Sequence, residues 1–143
     1  MEMNILGLEA AMNFTPTKPT YAIRIDSAIV PFAGLELQPS GLYTIVQYVF
    51  DDIDPHKRSG RGRLFDTPIA TELLEDFAAR GRHHEELLIH CMAGKNRSPA
   101  VGMALNAIFG LGYDAGKLQE QFPEPTWHVY NVLMKTAREM KLP

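Results

Sequence analysis

With 143 residues, the chain is long enough for one domain with a substantial core and too short for two. Its 45% hydrophobic and 22% charged content fits a globular domain and excludes a disordered one. A net charge of −3 argues against generic nucleic-acid or membrane-surface binding, and no apolar run approaches the roughly 20 residues that cross a bilayer.

The start, Met-Glu-Met-Asn, lacks the basic residues and apolar stretch of a secretion signal. A single cysteine rules out an internal disulfide framework, so a reducing, cytoplasmic setting is expected. No repeat, low-complexity tract or linker divides the sequence, and residues 1–143 are read as one domain.

In chain order, residues 4–12 fit either a strand or a short helix, and Pro16 and Pro19 then enforce a loop. Tyr21 to Ile25 alternates as a strand does. Residues 26–41, broken by Pro31, Gly34, Pro39 and Gly41, read as connection. Tyr43 to Phe50 is rich in β-branched and aromatic residues and predicts a second strand. Thr67-Pro68 reads as a cap and first-turn pair for a helix over Ile69 to Ala79, with Ile69, Leu73, Leu74, Phe77 and Ala78 inward and Gly81 as its stop. Leu87 to His90 is a strand. Pro99 to Phe109 is a helix with Val101, Ala104, Leu105 and Ile108 inward, ended by Gly110 and Gly112. A short helix follows over Asp114 to Phe122. The last runs from Trp127 to Met140 with Val129, Val132, Leu133, Thr136, Ala137 and Met140 inward. Strands alternating with helices predict an α/β fold, a largely parallel central sheet flanked by helices. In such sheets the site lies beyond the carboxyl ends of the strands.

The stretch His90-Cys91-Met92-Ala93-Gly94-Lys95-Asn96-Arg97-Ser98-Pro99 falls at such a place, between strand and helix. A tight loop feeding a helix N-terminus turns backbone N–H groups inward and makes a seat for a phosphate-like dianion. The same field favours the thiolate of Cys91, a nucleophile. Arg97, after five intervening residues, can grip two phosphate oxygens with its planar fork. Ser98 can donate towards the sulfur and is expected to cap the helix, with Pro99 at its first position. A nucleotide-binding P-loop is excluded, because position 96, after Gly94-Lys95, is Asn rather than Ser or Thr and the pattern's first Gly is missing.

His-Cys, five residues, then Arg-Ser resembles the signature loop of the protein tyrosine phosphatase superfamily, above all its small dual-specificity-like branch. The match rests on His90, Cys91, Gly94, Arg97 and Ser98. The resemblance implies a cysteine-phosphatase fold and hydrolysis of phosphomonoesters through a phosphocysteine on Cys91. It implies a phosphate cradle over Met92, Ala93, Gly94, Lys95, Asn96 and Arg97. His90 would orient the loop rather than act as a base. No cofactor and no metal are required, and the histidines lack metal-ligand spacing.

Such an enzyme needs an acid for the leaving oxygen, in the family an aspartate upstream of the cysteine. Phe50-Asp51-Asp52 resembles the corresponding loop of the small phosphatases of regenerating liver, where the second Asp is the acid. This favours Asp52, ahead of Asp54 and Asp51. Asp66 remains an alternative, although an acidic residue before a helix start serves equally as a helix-terminal charge.

Between these aspartates lies His56-Lys57-Arg58-Ser59-Gly60-Arg61-Gly62-Arg63, with four Lys or Arg residues. It is either a solvated basic loop or, beside the site, a lure for substrates with more than one phosphate or an acidic flank. Lys95 resembles a lysine of the phosphoinositide phosphatases, and Asn96 a residue of RNA 5′-triphosphatases. The resemblance implies a phosphorylated protein or a small phosphoester as substrate. Alternatives are inositol phosphates, RNA or nucleotide 5′-phosphates, or a non-catalytic phosphate-binding module. Arg80, Arg82, His83 and His84 fall at the far end of the sheet, and His128 reads as a packing residue.

Overall fold

Four short runs of apolar and β-branched residues pair edge to edge into one parallel sheet. The computed structural model describes residues 1–57 and 60–142. Strand β1 (Glu2–Leu6), β2 (Thr20–Asp26), β3 (Tyr43–Val49) and β4 (Glu86–His90) lie in the order β1, β4, β2, β3. All three pairings are parallel, with Leu6 and Arg24 both in register with His90, and Asp26 with Val49. The predicted α/β architecture is thus observed. Residues 4–12, ambiguous in sequence, are both elements in turn: the end of β1 and then a short helix α1 (Leu8–Met12).

Side chains at alternate strand positions feed two unequal cores. Tyr21, Ile23, Ile25, Leu87 and Ile89 face one side, where helices α2 (Thr67–Ala79), α3 (Arg97–Phe109) and α5 (Trp127–Glu139) pack. Ala22 and Leu88 face the other, covered by Ala11 of α1 and Leu37 of the β2–β3 connection. Helix α4 (Ala115–Gln121) packs on α3. Helix α3 is buried on every side except at Ala107 and Phe109, so its sequence shows no polar face to locate the solvent.

Three boundary readings need correction. Asp66, not Thr67, caps α2, its carboxylate accepting the Ile69 N–H at 3.2 Å. Asn96, not Ser98, stands at the N-cap of α3, so Pro99 is the third helical residue. Ser98 is drawn away from capping because its hydroxyl faces the Cys91 sulfur. Gly81 is not a left-handed stop; α2 ends at Arg80, and a Cβ on Gly81 would sit 2.4 Å from the Phe77 ring. Gly110, by contrast, ends α3 in the left-handed conformation, as expected. Of the side chains predicted inward, Ile69, Ala78, Val132 and Met140 are only half-buried.

Candidate active site

Strands β2, β3 and β4 end side by side, and their carboxyl ends build the site. Immediately after β4, Cys91 is buried with its Sγ 3.1 Å from Ser98 Oγ. The Gly94 N–H donates to the same sulfur at 3.3 Å. This turn requires glycine at 94: φ is +74°, and a Cβ there would lie 2.4 Å from the Gly7 nitrogen. The loop also rests on the β1–α1 junction, where the Leu8 N–H donates to Met92 O at 2.9 Å. Beyond it α3 begins, so the positive end of that helix points at the loop.

Arg97 is buried, and among the described residues it has no carboxylate partner within salt-bridge distance. Its Nη1 donates to Phe50 O at 2.9 Å and Asp26 O at 3.3 Å, the carbonyls where β3 and β2 end. That tether fixes the plane of the guanidinium and leaves Nε and Nη2 for an anion. A buried cation with no carboxylate in direct contact is costly, and a bound dianion would offset that cost.

Behind the cysteine, buried His90 is locked by a network that sequence reading missed. Arg24 Nε donates to His90 Nε2 at 2.9 Å, and His90 Nδ1 lies 3.2 Å from Cys91 O. A carbonyl only accepts, so Nδ1 carries the ring proton and the imidazole is neutral. Burial first, and the Arg24 cation beside it, lower the His90 pKa to about 4 against the opposing pull of the Cys91 carbonyl and Asp26. Arg24 is itself held by Leu35 O at 2.7 Å and by the Phe32 ring, 4.9 Å below its guanidinium carbon. The available signal was a charged residue at an interior position of an otherwise apolar strand.

The four candidate acids separate cleanly. Asp51 is buried; one oxygen takes the Ser27 hydroxyl and the other the N–H groups of Arg63 at 2.7 Å and Ala28 at 3.3 Å. Burial alone would raise its pKa, but these bonds and the Arg97 charge bring it below the usual carboxylate range. Its own N–H donates to Arg63 O at 2.7 Å, so Asp51 pinches the neck of the 51–63 loop. Asp54 accepts the His56 N–H in a local turn, and Asp66 caps α2 while pairing with Arg63 at 3.0 Å. Asp52 is exposed, lines the cleft with Arg97, and accepts the Thr126 hydroxyl at 2.8 Å.

That cleft, about 480 Å³, is walled by Ile29, Val30, Ile53 and Met92 and also receives Arg61. Of the basic loop, Arg58 and Ser59 lie outside the described residues, Arg61 reaches the cleft and Arg63 does not. Lys95 is exposed and lines a separate hollow with Phe122 and Glu124. His128 ties α5 to Phe65 O at 2.8 Å, and His84 bridges Arg80 O and Thr44 at the opposite end of the sheet. Among the described residues no helix is long and apolar enough to cross a membrane, and no three His, Cys, Asp or Glu side chains converge to hold a metal.

No family model matches the chain, and no curated protein matches it. Solved structures do. Tk-PTP in its active form superposes with a TM-score of 0.56 at 15% identity, over 94% of this chain and 92% of that one. The human tyrosine phosphatase-like serine/threonine/tyrosine-interacting protein gives 0.53 at 19% identity, over 85% of this chain and 78% of that one. At such identities the likeness establishes the fold: this chain has the fold of the tyrosine phosphatases, as its cysteine loop led us to expect.

Proposed function

We propose that this protein is a cysteine-dependent phosphomonoester hydrolase of the protein tyrosine or dual-specificity type. One arrangement carries the reading. A buried cysteine sulfur accepts from Gly94 N–H and faces Ser98 Oγ, at the mouth of a loop whose arginine is anchored by backbone carbonyls and, among the described residues, touches no carboxylate.

The Cys91 thiolate attacks phosphorus in line, forming the S–P bond as the ester P–O bond breaks. Asp52 gives the leaving oxygen its proton. The N–H groups of residues 92–97 and the free edge of Arg97 hold the equatorial oxygens and stabilise the charge of the transition state. Water then attacks the phosphocysteine, Asp52 takes its proton, and Ser98 donates to the departing thiolate. His90 stays neutral and fixes the loop through Cys91 O.

Arg61, in the same cleft as Arg97, favours substrates with a second negative group, such as an acidic peptide flank or a further phosphate. Inositol phosphates and 5′-phosphorylated RNA or nucleotides therefore belong in the substrate panel beside phosphotyrosine peptides. The deciding experiment is aryl phosphate hydrolysis by wild type and Cys91→Ser between about pH 5 and 8. Turnover by wild type alone supports the covalent route. A wild type that binds vanadate without turnover would leave only a phosphate-binding module.

A further inference from the structure

The start of α5 carries an anomaly. Thr126 occupies the N-cap of that helix, a position where a threonine hydroxyl ordinarily accepts a backbone N–H of the first turn. It makes no such bond. Its hydroxyl instead donates to Asp52 Oδ1 at 2.8 Å, across 74 residues of sequence, from a buried position. The same residue's N–H donates to Asn96 O at 3.0 Å, and Asn96 Nδ2 donates to Glu124 O at 2.6 Å. Asn96 immediately precedes Arg97. A single segment, 124–126, thus grips the end of the cysteine loop with its backbone and the Asp52 carboxylate with its side chain.

Resting on the reading of Asp52 as the acid, we infer that Thr126 is a positioning residue for proton transfer to the leaving group. A carboxyl whose Oδ1 accepts the Thr126 hydroxyl carries its own proton on Oδ2. That fixes which oxygen donates, and it references that oxygen to Arg97 through Asn96. The helix gives up a capping bond for this. The 51–63 loop, pinched at its base by Asp51, is tied to the opposite wall by this hydroxyl.

The test compares two substrates of the purified protein. One is an aryl phosphate with an electron-poor phenol, which departs without a proton. The other is phenyl phosphate, whose phenol (pKa about 10) needs one. Thr126→Val keeps the volume and removes the hydroxyl. It is expected to lower kcat on phenyl phosphate about tenfold, leave the electron-poor ester nearly unchanged, and leave KM unchanged on both. Thr126→Ser, which keeps the hydroxyl, restores the phenyl phosphate rate. Thr126→Ala serves as a second hydroxyl deletion should the valine variant fold poorly. Equal losses on both substrates, a change in KM alone, or no change would overturn the inference and leave Thr126 a structural residue. Asp52→Asn, run in parallel, separates the two levels. If it shows the leaving-group dependence and Thr126→Val does not, only the role of Thr126 falls. If it shows none, the acid assignment falls and takes this inference with it.

Discussion

The loop from Cys91 to Arg97 is held by backbone fit, whereas the facing segment from Asp51 to Arg63 adds the side-chain bonds of Asp51 and Asp52 to one backbone bond at its neck. Gly94 is wedged against Gly7, and Leu8 is bonded to Met92, so the cysteine loop has one shape that its neighbours dictate. The segment that carries the proposed acid is closed at its neck by Asp51 with Ser27 and Arg63, and Asp52 ties it to the opposite wall at Thr126. Between those two fastenings Pro55, His56 and Lys57 are exposed. The contrast suits the proposed chemistry, in which a dianion seat is preformed to act electrostatically while an acid approaches the leaving group and then releases it.

If the contrast is sound, damage to the two walls will look different. Gly94→Ala should do the most harm, forcing a left-handed φ of +74° on a side chain with a backbone atom 2.4 Å away. Turnover and vanadate binding should both vanish, with about 2–3 kcal/mol lost in denaturant unfolding. Unimpaired vanadate binding would refute the preformed seat.

Asp52→Asn should cost roughly 10² to 10⁴ in kcat with vanadate affinity and stability intact, because the other wall is untouched. Asp51→Ala should behave oppositely from one residue away. It strands the buried Ser27 hydroxyl and Arg63 N–H, so about 1–3 kcal/mol of stability should go, read by thermal unfolding. Exchange of these two outcomes would reassign the acid.

The next effect concerns pH. His90 titrates near 4 in the folded protein against an ordinary 6.5, so between those values the unfolded chain binds more protons. Stability therefore falls as pH drops from about 6.5 to about 4, by roughly 3 kcal/mol. Replacing the imidazole, His90→Asn, should flatten that slope in acid unfolding. The smallest effect belongs to Arg61→Ala: about a two- to fivefold rise in KM for doubly charged phosphoesters and none for phenyl phosphate, as suits an exposed charge.

What was legible in the sequence follows the same division. The cysteine loop is specified by neighbours along the chain, so His90 to Ser98 announced it, and the alternating strands and capped helices around it announced the fold. Arg24, Ser27 and Thr126 were missed because their importance lies in partners 24 to 74 residues away. Arg24 pairs with His90 only because β2 lies beside β4, an order that strand patterning does not reveal. The Ser98 cap went wrong for a related reason: a hydroxyl that could satisfy a helix end faces a sulfur instead.

The abutment of Gly94 on Gly7 has a consequence for how the molecule is made. On a ribosome the first eight residues emerge long before position 94 exists, and β1 has no strand partner until β4 arrives. Closing so long a loop is entropically slow, and the cysteine loop cannot take its shape until that closure is complete. The anion seat therefore waits on the pairing of β4 with β1. Removal of Met1 to Leu6 should leave the helices of the larger core largely assembled and the anion seat unformed.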